Sequence, residues 1–108
     1  MSTRQHINSD RLHRLSERLE ELSAAVRACG QQAPPPELAD DVAATAGEVM
    51  LELADMGGDE LARAAIEDAR LLREAARTHG PSPARLTEGG DLLAHEVERI
   101  IRSDKQAA

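Results

Sequence analysis

The sequence predicts an all-α chain folded as an antiparallel up-down-up-down four-helix bundle. Apolar residues recur three and four positions apart through four stretches of similar length, which is the period of a helix face. Proline and glycine punctuate the gaps between those stretches: Gly30, Pro34-Pro35-Pro36, Gly57-Gly58 and Gly80-Pro81. The 108 residues include 19 alanines and no Phe, Tyr or Trp, and alanine is the strongest helix former. Short links between helices of equal length favour antiparallel neighbours. The expected helices cover about 10–29, 37–56, 60–79 and 83–103 of a single domain 1–108, with residues 1–8 and 104–108 as flexible ends.

The first helix carries Leu12, Leu15, Leu19, Leu22, Val26 and Cys29 at alternating spacings of 3 and 4. That is a narrow coiled-coil seam, with Ser9 as the expected N-cap and Gly30 as the stop. The second starts after the proline run, whose last member suits the first helical position. It places Leu38, Val42, Ala46, Val49, Leu53 and Met56 on one face. Asp59 is the expected cap of the third, whose inward face is Leu61, Ala65, Ala69, Leu72 and Ala76. Its outward face alternates in sign from Glu60 to Arg77 and neutralises itself. Ser82-Pro83 opens the fourth, in which Leu86, Leu93, Val97 and Ile100 hold one phase across Gly89-Gly90. Continuity of phase favours one helix there, bent at the glycines, and the alternative is a break with Asp91 as a new cap.

Leu, Ile, Val and Phe together number only 21, and the net charge is -7. Such a composition borders on that of disordered chains. Alanine buries little surface, so a thin core is expected, one that a second copy would complete. The narrow seam of Leu12, Leu15, Leu19, Leu22 and Val26 is the expected self-association surface of a homodimer. The single cysteine, Cys29, can form neither an internal disulfide nor a cysteine-rich zinc site.

Composition also narrows function. Without aromatics the chain lacks stacking platforms for single-stranded nucleic acid. Its negative charge disfavours phosphate backbones and anionic membranes. No run is apolar enough to cross a bilayer and no secretory signal opens the chain, so the cytoplasm is the expected location. Phosphate loops, nucleophile elbows and zinc-protease motifs are missing, and no Glu-x-x-His supports a di-metal bundle. No catalytic residue, cofactor or metal is expected.

Charge is unevenly distributed. Residues 31–58 contain six acids and no base, while the other three segments are nearly neutral. Glu37, Asp41, Glu48, Glu52 and Asp55 fall on one face of the second helix. Such a row of like charge calls for water, for arginines of the first helix (Arg11, Arg14, Arg18), or for a basic surface on another protein. Leu51 lies on the acidic side, as an apolar anchor within a charged rim would. Glu48, Leu51, Glu52, Asp55 and Asp41 are therefore the expected partner-binding residues. Asp68 sits on the apolar arc of the third helix, where a carboxylate needs water, an arginine or a polar partner.

His6 precedes the first helix, His13 lies opposite its seam, and His79 is placed in the last turn of the third, where a cation offsets the helix dipole. His95 is mid-helix on a polar face, with Asp91 four residues before and Arg99 four after. An exposed mid-helix histidine in a four-helix bundle resembles histidine phosphotransfer domains, and the resemblance implies His95 as phosphoryl acceptor. The lysine and glycine that commonly follow in that family are here Glu98 and Arg99. Asn8-Ser-Asp-Arg-Leu opening a leucine-rich helix is similar to the N-termini of type VII secretion substrates, whose Trp-x-Gly turn and C-terminal tyrosine signal are missing here. The residues themselves point instead to a non-catalytic interaction module, such as an adaptor, a regulator or a small acidic chaperone.

Overall fold

The computed structural model describes residues 8–56 and 58–107, with no side-chain description beyond 104. It is an all-α four-helix bundle: α1 (Ser9–Ala28), α2 (Pro36–Leu53), α3 (Glu60–Arg77) and α4 (Pro83–Ala107). Expectations for His6, for Gly57 and for the first seven residues fall outside the described residues.

Residue pairs across the two seams of α1 show that it runs antiparallel to both neighbours. Arg18 meets Asp41 and Arg11 meets Glu52, so α1 and α2 run oppositely. Ser16 meets Glu98 and Arg27 meets Asp91 between α1 and α4. The short axes of the molecule are 19 and 18 Å, about two helix diameters each way, as four rods in a square require. The most extensive packing is of α1 on α4 and of α2 on α3, whereas α1 and α2 touch least.

Local chemistry sets the boundaries. The cap of α1 is Asn8 rather than Ser9: its side chain accepts from the Arg11 amide at 3.1 Å. Gly30, at φ 71°, takes the left-handed position after the C-cap, a conformation that costs glycine least. α2 stops at Leu53 rather than 56, and Ala54–Met56 tighten into a 3-10 turn. Asp59 caps α3 as expected, accepting from the Leu61 and Ala62 amides at 2.8 and 3.1 Å. α3 ends at Arg77, two residues short of the expected limit. Thr78 turns extended and its hydroxyl donates to the Glu74 carbonyl, which leaves His79 beyond the helix and removes its expected place in the last turn. α4 runs on to Ala107, past the expected limit at 103.

The core is assembled from leucine on α1, branched aliphatic side chains on α4 and mostly alanine on α3. Leu12, Leu15, Leu19, Leu22 and Val26 are at most 7% exposed and meet Leu86, Leu93, Val97 and Ile100 of α4 in one cluster. The buried face of α3 is Ala62, Ala65, Ala69, Leu72 and Ala76. Gly89-Gly90 does not break α4. A Cβ on Gly90 would fall on Ser23 Oγ of α1, and one on Gly89 would stand 3.0 Å from Leu72 Cδ1 of α3. The glycines thus let α4 wedge between two neighbours, at a helix-propensity cost of about 1 kcal/mol each.

Two stability predictions follow from these features. Asp59→Ala should lower stability by about 1 kcal/mol in urea unfolding. Gly90→Ala should destabilise the protein despite its better propensity, and adding Ser23→Ala should recover the loss. An unconditional gain from Gly90→Ala alone would show that the wedge is not tight.

Candidate protein interface

The acidic face of α2 lies beside the loosest seam of the bundle, and long charged side chains bridge that seam. Arg11 Nε approaches Glu52 Oε1 at 2.6 Å, and its Nη2 stands 3.9 Å from Glu48 Oε1. Arg18 Nη2 lies 3.7 Å from Asp41 Oδ2. Arg14, between them on α1, makes no ion pair among the described residues. Two of the three flanking arginines therefore reach the row, and two cations against its five acids leave it negative. The exposed pairs of Arg11 with Glu48 and of Arg18 with Asp41 gain about 0–1 kcal/mol each, so they are easily exchanged for another cation.

The expected partner-binding residues are not equally available. Glu48 and Asp41 are exposed, Glu52 is half-buried beneath Arg11, and Asp55 is exposed in the 3-10 turn that ends the ridge. Leu51 is 78% exposed, the most open large apolar side chain described, and it stands between Glu48 and Asp55. The seam of Leu12, Leu15, Leu19, Leu22 and Val26 is not presented at all. The chain's own core covers it, so in this fold those residues have no surface left for a second copy.

A polar groove of about 690 Å³ runs between α1 and α4, lined by Glu20, Arg27, Asp91, His95, Glu98 and Arg102. His95 is exposed there. Arg27 bonds Asp91 across one end. Glu98 is turned toward α1, where it accepts from Ser16 Oγ at 2.5 Å and lies 2.9 Å from His13 Nδ1. Burial works to raise the Glu98 carboxyl, but the Ser16 hydroxyl and His13 outweigh it and hold it below the usual carboxylate range. Among the described residues, no three His, Cys, Asp or Glu side chains gather as a metal site, and no helix is long and apolar enough to cross a membrane.

Sequence reasoning singled out Asp68 without finding its counterpart. Glu96 of α4 faces it, with an Oε1 that is buried and receives no hydrogen bond. Burial first, and then the facing Asp68 carboxylate, push the Glu96 carboxyl up to about 7, against the pull of Arg99. The signal was present in the periodicity, since Glu96 stands one turn past Leu92 and one before Ile100. A carboxylate on each of two helices becomes a pair only once their register is known.

Comparison with protein-family models, with curated proteins and with solved structures gives no match to this chain.

The sign of the Glu96 effect is opposite to that of a salt-bridged acid. Its folded pKa is raised, so its contribution to stability is complete below the ordinary carboxylate value and is lost as pH rises through about 7. In dilute solution Glu96→Gln should melt several degrees above the parent chain at pH 8 and level with it below about pH 4. An equal offset at both pH values would contradict the pairing.

Proposed function

We propose that this chain is a non-catalytic protein–protein interaction module, an adaptor, regulator or small acidic chaperone acting in the cytoplasm. It offers the outer ridge of α2 to a basic surface on another protein. The observation that carries this reading is Leu51, 78% exposed on a ridge flanked by Glu48 and Asp55. Interface centres commonly combine an apolar anchor with a charged rim that excludes water.

Charge adds speed and register. A negative ridge steers a basic partner into place and weakens with added salt, while affinity comes mainly from the buried anchor. The loosely held Arg11 and Arg18 suit this role. Their pairs with Glu48, Glu52 and Asp41 keep the ridge from repelling itself until a partner's cations replace them.

A photo-crosslinking residue at position 51, used in the cells that make the protein, tests the reading. Crosslinks to a basic protein are expected from position 51 and not from an exposed site such as Arg63 on α3. The set should disappear when Glu48→Lys and Asp55→Lys are added, with the helical spectrum unchanged. Retention of every crosslinked protein in that charge-reversed variant would overturn the reading.

A further inference from the structure

α2 carries a second seam, opposite its buried one. Val42, Ala46, Val49 and Leu53 face the core. On the outer side Asp40, Ala44, Gly47, Leu51 and Ala54 follow one another at spacings of 4, 3, 4 and 3. Ala44 and Ala54 are exposed, and Leu51 is 78% exposed. The nearest approach of another helix to the place of a Cβ on Gly47 is Arg73 Nη1, at 4.0 Å. The strip is therefore one leucine among small residues, with room for another helix to lie close.

The two flanks of the strip differ in charge. On the α1 side run Asp41, Glu48 and Asp55, each seven residues from the next, with Glu37 and Glu52 beside them. On the α3 side stands Arg73, which makes no ion pair among the described residues. At the end near Asp40, Arg77 shares a hollow with that acid. The bundle itself shows what fits the acidic flank. Arg11 and Arg18, seven apart on α1, reach Glu48 and Asp41, seven apart on α2. Seven helical residues rise about 10.5 Å. A strand covers that interval in about three residues, which turns successive side chains to opposite faces. A helix repeats its cations on one face at the interval of the acids, and an extended segment does not.

We infer that the partner of the α2 ridge is an amphipathic helix lying along Ala44, Gly47, Leu51 and Ala54, with cations toward Asp41, Glu48 and Asp55 and acids toward Arg73. This names the class of partner and rests on the ridge being the binding face. Flanks of opposite sign fix which way round such a helix lies. α2 has 18 residues, a length of about 27 Å. One helix along it buries less than about 1,200 Å² in total, the range of transient contacts.

Three synthetic peptides of about three heptads, each kept dilute enough to be monomeric, test it. The first has an apolar stripe with lysines on one flank and glutamates on the other. The second has lysines on both flanks, and the third has the composition of the first in scrambled order. Fluorescence anisotropy with the whole protein should place the first roughly tenfold above the scrambled peptide in affinity. Leu51→Lys should abolish that binding with the helical spectrum unchanged. Arg73→Glu should move the preference toward the peptide with lysines on both flanks. Equal binding of the first and scrambled peptides, or a preference that Arg73→Glu leaves unchanged, overturns the helix and leaves the ridge its basic partner. Binding of none of the three at millimolar concentration overturns it too, and the crosslinks from position 51 then decide separately whether the ridge is a binding face.

Discussion

A core without aromatic rings holds only if its helices come close together. Dispersion and apolar burial both fall away once a gap opens, and small side chains cannot reach across one. This chain meets the constraint with an unequal division of size. α1 supplies four leucines, α3 supplies mostly alanines, and α4 carries two glycines at the point where it is pressed between them. Each glycine faces a different neighbour, Ser23 on α1 and Leu72 on α3. What looks from the sequence like a weak point of α4 is the place where three helices converge.

That constraint decides what remains for function. Because the α1 seam lies against α4, the bundle closes within one chain, and any binding has to use outer faces. Two of those faces depart from ordinary solvated helix surface. The α1–α2 side has loose packing, bridging arginines and an isolated exposed leucine. The α3–α4 side has two half-exposed leucines and a carboxyl pair. By contrast, the outer face of α3 is internally neutralised, with Arg70 bonded to both Glu67 and Glu74. Self-paired charge of that kind leaves little reason for a partner to bind.

Much of the fold was legible because it is local. Leucine spacing located α1, Asp59 announced the start of α3, and the proline run announced α2. The helix ends were less legible, since Asn8 and Ser9 are both good caps and Thr78 is β-branched yet follows a strong helical pattern. The candidate ridge was visible as a run of acids, and its arginines as a matching row on α1. Which arginine reaches which acid depends on axial register, a tertiary quantity. The same holds for Glu96: alone it reads as a polar residue on a helix flank, and only packing turns it toward Asp68. The self-association seam shows the limit most clearly. A heptad of leucines specifies that something packs against it, but not whether that surface belongs to the same chain.

The account rests on the closure of that seam inside one chain, and Leu19→Ala tests it directly. Leu19 is 1% exposed, and truncating a buried leucine costs about 2–5 kcal/mol. Urea unfolding of the dilute variant should show a loss in that range with an unchanged mass. Near-parental stability together with a fall in mass would mean that the leucines join two chains instead.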